Sequence, residues 1–116
     1  MKKNILLLIF CIFFITTSFS QNKKYQKESV KVWGNCGMCK SIIEKAAESI
    51  DGVKYARWDS KKGLMKVKFI TEKTDLNEIQ KTIANVGYDT ESYRANDEVY
   101  NNLHYCCKYE RKFHEK

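Results

Sequence analysis

The stretch "WGNCGMCKSIIEKAAESIDGV", residues 33–53, contains the pattern that decides the fold. Cys36 and Cys39 stand three positions apart, directly before a segment whose apolar residues recur at helical spacing. This spacing predicts a helix over residues 39–49, which Asp51-Gly52 ends. The cysteine pair is compatible with a redox couple, half of a structural zinc site or an exchangeable metal site, so the function depends on which of these it is.

The residues on either side of this segment alternate in polarity and therefore predict strands. Upstream, "ESVKVWG" from Glu28 places Val30 and Val32 on one face. Downstream, residues 53–58 and 64–69 flank the turn "DSKKG" and predict a hairpin.

A second helix follows the hairpin, and its capping residue is Thr74 or Asp75. Glu78 stands three residues after Asp75, as in a capping box, and Gly87 supplies the C-terminal stop. Residues 88–94 predict a fourth strand. The order strand, helix, strand, strand, helix, strand predicts an α+β fold of the ferredoxin-like type, with two helices on one face of a four-stranded antiparallel sheet.

The first twenty residues are predicted to be a signal peptide. Lys2 and Lys3 precede an apolar run over residues 5–15, and small residues stand before a cut at Gln21. The run is short for a membrane span, which needs about 20 residues; an uncleaved anchor is the alternative. We therefore expect a periplasmic or secreted protein without stable membrane insertion after cleavage.

Composition then divides the rest of the chain into three parts. Residues 21–27 form a polar leader, residues 28–94 the domain, and residues 95–116 an extension with a short helix predicted over residues 97–103. Loss of the two lysines lowers the formal net charge from +7 to +5. Such a surface suits an acidic protein partner or simple solvation, and export argues against nucleic acid.

The predicted position of Cys36 and Cys39 favours metal chemistry. Free amide groups and the positive end of a helix dipole stabilise thiolates at a helix N-terminus. Paired thiolates select soft ions, and two suffice for near-linear Cu(I) or Hg(II) but do not complete a tetrahedral zinc site.

The chain resembles the heavy-metal-associated domain family of copper chaperones and periplasmic mercury-binding proteins in four features. These are the order of elements, Cys-x-x-Cys at the helix start, "DGV" before the hairpin and "IANVGYD" after the second helix. The resemblance implies that Cys36 and Cys39 bind the ion and that Tyr88 lies near it. Members of this family usually carry Met where this chain has Gly34. Trp33 and Met38 are the candidates to fill the vacated space.

The extension departs from the family, because it carries adjacent cysteines in "HYCCKY". Cys106 and Cys107 are candidate accessory ligands, with His104 as a weaker candidate. They are equally compatible with a separate metal site, with a disulfide to Cys36 or Cys39, or with a disulfide to another chain.

These features predict an exported protein, not an enzyme, that binds and transfers Cu(I) by thiolate exchange, with Hg(II), Zn(II) and Cd(II) as alternative ions. The predicted partner is a metal donor or acceptor such as a metal-transporting ATPase, and the protein is expected to be a monomer or a weak metal-bridged dimer. The alternative function is thiol-disulfide exchange by the same pair. Against it, the chain has no proline, whereas a thioredoxin-like fold places a cis-proline opposite its cysteines.

Overall fold

A computed structural model describes residues 24–111 of the chain. The predicted signal peptide and the last five residues lie outside this range. The elements, in chain order, are β1 (Tyr25–Lys31), α1 (Gly37–Glu48), β2 (Val53–Asp59), β3 (Leu64–Ile70), α2 (Leu76–Asn85), α3 (Asp97–Asn101) and a 3-10 turn (Tyr105–Cys107).

The sheet has three antiparallel strands with β3 in the centre, in the order β1-β3-β2. Met65 of β3 lies opposite Val30 on one side and Trp58 on the other. Alternate residues of each strand are buried against α1 and α2, which confirms the α+β arrangement with both helices on one face. The core consists of Val30, Val32, Cys39, Ile43, Ala47, Ala56, Trp58, Met65, Val67, Phe69, Ile79, Ile83, Tyr88, Cys107 and Tyr109.

The predicted fourth strand over residues 88–94 is wrong as a strand. The segment makes one antiparallel bridge, between Val32 and Thr90. After that bridge the chain turns, because the Thr90 amide donates to the Tyr93 carbonyl and the Thr90 hydroxyl bonds the same residue. The segment therefore occupies the expected edge of the sheet without forming a strand among the described residues.

The element boundaries differ from the predicted ones at two places, the start of β1 and the start of α1. β1 begins at Tyr25, because Tyr25 pairs with Ile70 of β3, so the last three residues of the predicted leader belong to the sheet. α1 begins at Gly37, two residues before the predicted start, and Cys36 is its N-cap. The earlier start of α1 places Cys36 directly at the N-terminus of the helix.

The second half of the domain follows its sequence signals. Asp75 caps α2 and accepts a hydrogen bond from the Glu78 amide at 2.8 Å. Gly87 after α2 has a φ of 111°, the left-handed conformation that favours glycine. α3 confirms the short helix predicted in the extension. None of the helices within residues 24–111 has the length and apolar character needed to cross a membrane.

Candidate metal centre

The two cysteines of the motif lie at the N-terminus of α1, as predicted, but in different environments. Cys36 is partly exposed, whereas Cys39 is fully buried and its sulfur contacts the Cys107 carbonyl oxygen at 3.9 Å. The predicted thiolate exchange needs sulfurs that an incoming thiol can reach. Cys39 does not meet this need in the described conformation, in which only Cys36 of the two reaches the surface.

The helix N-terminus favours the thiolate form of Cys36. Hydrogen bonds from the backbone amides of Cys39 and Met38 lower the pKa of the Cys36 thiol, and together they outweigh the opposing effect of burial. A lower pKa means more thiolate at neutral pH, which makes Cys36 both a better nucleophile and a better metal ligand.

The extension folds back over this helix end and brings its cysteines to the motif. The Cys106 sulfur lies 3.8 Å from the Cys36 sulfur and 4.0 Å from the Cys107 sulfur. The sulfurs of Cys36, Cys106 and Cys107 all lie within 4.8 Å of one another. The Asn35 side-chain amide also donates to the Cys106 carbonyl oxygen at 3.2 Å. The structure therefore joins the accessory candidates to the motif, across about seventy residues of sequence.

Two further soft donors lie on the solvent side of Cys106. The Met38 sulfur is 3.9 Å from the Cys106 sulfur, and Nδ1 of His104 is 3.4 Å from it. Met38 is also an exposed large apolar side chain. The weaker candidate His104 thus lies beside the sulfur cluster, although it is not among the three residues whose ligand atoms group together.

The thiols of the extension are held in the neutral form when no ion is present. Burial, and then the neighbouring thiol of Cys39, raise the pKa of Cys107 to about 12. Burial and the Cys36 sulfur likewise raise the pKa of Cys106. All four cysteines within residues 24–111 are free in this structure, so it contains none of the disulfides that the sequence left open as alternatives.

Tyr88 lies beside the buried sulfurs, in the neighbourhood that the family resemblance implies. Its side chain is fully buried, and its hydroxyl has no hydrogen-bond partner among the described residues. Burial and the thiols of Cys39 and Cys107 raise the pKa of Tyr88 well above its usual range. A neutral phenol is a poor ligand for a soft ion, but it can donate a hydrogen bond to a thiolate formed next to it.

The extension is anchored by a buried ion pair that the sequence analysis missed. Arg111 donates through Nε and Nη2 to the two carboxylate oxygens of Asp89, at 2.8 and 2.7 Å. Arg111 Nη2 also donates to the Ala95 carbonyl oxygen and Nη1 to Asp97, at 2.6 and 2.9 Å. Asp89 is fully buried. No local sequence signal pairs residues 22 positions apart in this way.

Aromatic residues add a second anchor for the extension. The Tyr109 hydroxyl accepts from the Asp89 amide at 2.7 Å and donates to the Gly87 carbonyl oxygen at 2.8 Å. The Tyr109 ring stacks on Tyr88 with ring centres 5.6 Å apart. Tyr100 packs edge-on against Tyr109. Tyr105, in contrast, is 81% exposed and makes no part of this anchor.

The space beneath the cysteine loop is filled by a residue that the sequence analysis did not consider for it. A Cβ atom at Gly34 would lie 2.9 Å from two ring atoms of Trp58 and 3.2 Å from Cδ1 of Ile43. The Trp58 indole is buried, and its Nε1 donates to the Val32 carbonyl oxygen at 2.9 Å. Trp58 from β2 thus packs under the loop.

Comparison with known proteins decides the family. The Heavy-metal-associated domain matches residues 35–89. The Copper chaperone CopZ of Staphylococcus aureus (strain MRSA252) is 34% identical over 55 residues, which is 47% of this chain and 81% of that protein. This chain belongs to the heavy-metal-associated domain family. The matched segment ends before Cys106 and Cys107, so the extension lies outside the shared part of the domain.

Solved structures agree with this assignment. A structure of the CopZ metallochaperone shares 33% sequence identity, covers 56% of this chain and 98% of its own, and has a TM-score of 0.55. A copper binding domain from HMA7, a P-type ATPase, shares 26% identity over 56% of this chain and 89% of its own, with a TM-score of 0.54. The heavy-metal-associated domain of this chain therefore has the expected ferredoxin-like fold.

The environments of the four cysteines predict the order in which they react with iodoacetamide. In the reduced, metal-free protein Cys36 should be alkylated first at pH 7–8, because thiolate reacts and the lowered pKa of Cys36 extends its thiolate to lower pH. Cys106 should require higher pH, since its pKa is raised, and buried Cys39 and Cys107 should be protected. Peptide mapping after timed alkylation measures this order, and modification of Cys107 before Cys36 would contradict it.

Proposed function

We propose that the protein is an exported carrier of Cu(I), which it binds through Cys36 and Cys39 and passes on by ligand exchange. The observation that carries this proposal is the position of the pair at the N-terminus of α1, where backbone amides favour the Cys36 thiolate. Membership of a family whose members include copper chaperones supports the choice of ion. The protein then acts as a carrier and not as an enzyme, because the ion leaves chemically unchanged.

Transfer proceeds by exchange of one thiolate for another. A thiolate of the partner binds the ion next to Cys36, the sulfur that reaches the surface. A three-coordinate intermediate forms, one sulfur of the carrier dissociates and takes up a proton, and the ion moves to the partner. Copper remains Cu(I) throughout, so no oxidant or reductant takes part.

The partner that we propose is a metal-transporting ATPase, and its surface should be acidic. The basic residues nearest the site support this in part. Lys40 follows the motif, but its ammonium is paired with Glu44 at 2.6 Å, so it contributes less charge than the sequence suggested. A neighbouring surface groove of about 450 Å³ has a predominantly basic lining, formed by Lys40, Arg57, Lys62 and Lys66 together with Trp58, Asp59, Ser60 and Leu64.

Native mass spectrometry of the reduced chain, offered one equivalent of Cu(I) without oxygen, tests the proposal. The protein should retain one ion, and Cys36→Ser/Cys39→Ser should lose it. Cys106→Ser/Cys107→Ser is the matched control, with the same number of sulfurs removed, and should still bind. Loss of binding in the control but not in the motif variant would overturn the proposed site.

A second measurement distinguishes the carrier from the competing function, thiol-disulfide exchange. The oxidised protein is incubated with a reduced, unfolded substrate, and disulfide transfer is followed by refolding. A carrier should show no activity above that of Cys36→Ser/Cys39→Ser. Efficient refolding together with failure to retain Cu(I) would replace the carrier proposal with a redox function.

Export is tested separately from metal binding. Cleavage of the proposed signal peptide predicts a mature protein that begins at Gln21. N-terminal sequencing of the protein recovered from the periplasmic or secreted fraction measures this directly. Recovery of the uncleaved chain in the membrane fraction would instead indicate an anchor.

A further inference from the structure

We propose that Cys36, Cys106 and Cys107 form a closed three-thiolate site in which the ion rests, and that Cys36 shares the ion between this site and the motif pair. This inference rests on the proposed function, because it takes a soft metal ion as the cargo. It assigns the extension a role that the shared domain does not have, namely to hold the ion until an incoming thiol displaces it.

The spacing of the three sulfurs fits a single ion. With a metal–sulfur bond of about 2.3 Å, two sulfurs on one ion lie about 3.8 Å apart in tetrahedral geometry and about 4.0 Å apart in trigonal geometry. The Cys36–Cys106 and Cys106–Cys107 sulfur distances are 3.8 and 4.0 Å. The third distance is below 4.8 Å, so a small closing movement completes the set.

The extension is held in place by contacts that need no metal. After the cysteine pair in the chain, Arg111 and Tyr109 bind Asp89, which directly follows the buried Tyr88. At the pair itself, the Asn35 side chain donates a hydrogen bond to the Cys106 carbonyl oxygen. Because both ends of the pair are fixed, Cys106 and Cys107 are preorganised as ligands and little chain entropy is lost when the ion binds.

Burial makes an ion in this site less accessible than an ion in a two-cysteine site. Cys107 is fully buried and Cys106 partly so, and Met38 and His104 lie on the outer side of Cys106. An ion among the three sulfurs therefore leaves less of its coordination sphere open than an ion held by two sulfurs. Release requires that an incoming thiolate bind the ion while the Cys106 and Cys107 thiolates dissociate and each take up a proton. Cys39 then gives up its proton and binds, so that Cys36 and Cys39 hold the ion for transfer.

A copper-edge X-ray absorption measurement on the chain loaded with one equivalent of Cu(I), without added thiol, counts the sulfur ligands. We expect three sulfurs in the wild-type protein and two in Cys106→Ser/Cys107→Ser. Cys39→Ser should retain three, because Cys39 is not part of the resting site. Met38→Leu is the matched control beside Cys106 and should also retain three.

Ion exchange gives an independent readout of closure. Transfer of Cu(I) to a chelator should be at least about tenfold faster from Cys106→Ser/Cys107→Ser than from wild type or Met38→Leu. Loss of a residue that only supports a metal ligand already weakens metal binding by about 10–100-fold, and loss of a ligand itself should have at least the lower of these effects. Two sulfurs in wild-type protein, or equal exchange rates, would overturn the inference. The proposed function would survive either result if wild type retained Cu(I) in the mass-spectrometry experiment. Failure of the three-thiolate site is therefore distinguishable from failure of the carrier function.

The three sulfurs also approach closely enough to raise a covalent alternative. A disulfide between Cys36 and Cys106 would need the sulfurs to close from 3.8 Å to about 2.05 Å and would need an oxidant. Mass measurement of the purified protein before reduction detects this bond as a loss of two hydrogens. A stable Cys36–Cys106 disulfide that persists after Cu(I) is offered with reductant would overturn the resting site.

Discussion

Replacing Arg111 by methionine should lower the free energy of unfolding of the metal-free protein by about 3 kcal/mol, because it leaves the buried Asp89 carboxylate without its counter-charge. Methionine keeps most of the apolar length of the side chain, so the loss reports the ion pair more than the packing. Urea denaturation of the reduced protein measures the change. The same variant should make Cys106 react faster with iodoacetamide, since Arg111 anchors the extension beyond the cysteine pair.

Arg94→Met is the matched control for this prediction. Arg94 also bonds Asp97, at 2.8 Å, but at the surface, where such a pair contributes about 0–1 kcal/mol. The control should therefore change the free energy of unfolding by less than about 1 kcal/mol and leave the alkylation of Cys106 unchanged. Equal effects of the two variants would mean that the buried pair does not anchor the extension.

Replacing Gly34 by alanine should lower the free energy of unfolding by about 1–3 kcal/mol, the usual cost of overpacking a core. The added methyl group would lie 2.9 Å from the Trp58 ring, and the hydrogen bond from Trp58 Nε1 to the Val32 carbonyl prevents the ring from moving away freely. The loop that carries Cys36 must then shift. We therefore expect weaker retention of Cu(I) as well as lower stability.

Gly37→Ala separates this clash from a general effect of glycine replacement. Apart from its chain neighbours and the backbone of α1, no atom of residues 24–111 lies within 4 Å of a Cβ at Gly37, which is the first residue of α1. Alanine in a helix is favoured over glycine by about 0.5–1 kcal/mol, so this control should be neutral or slightly stabilising. A destabilisation as large as that of Gly34→Ala would contradict the packing argument.

Much of the fold could be predicted because its signals are local. The apolar spacing of α1, the cap of α2 at Asp75 and the turn before β3 each depend on residues close in sequence, and the structure confirms all three. The fourth strand failed for a specific reason. Residues 88–94 have strand-like composition, but a turn at Thr90 and the ion pair between Asp89 and Arg111 override that preference.

The candidate site also has one part that local sequence predicts and another that depends on long-range contacts. Its motif half, Cys36 and Cys39 at the start of a helix, was predicted from spacing alone. The contribution of the extension could only be left open between a ligand role, a separate site and a disulfide. Trp58 under Gly34 was missed, because the contact joins positions 24 residues apart and neither residue signals the other.

The sequence thus determined the main helices and hairpin, and the position of two soft ligands on a helix N-terminus, since each follows from short-range periodicity and spacing. Its motifs also resemble the heavy-metal-associated domain family, which comparison with known proteins shows. Only the tertiary structure decided that Cys39 is buried, that Cys36 is the motif sulfur at the surface, and that Cys106 and Cys107 lie beside it. These outcomes depend on the buried Asp89–Arg111 pair and the stacked tyrosines, which bring distant segments together. Such long-range packing decides where a thiol lies, and hence how many sulfurs can reach one ion.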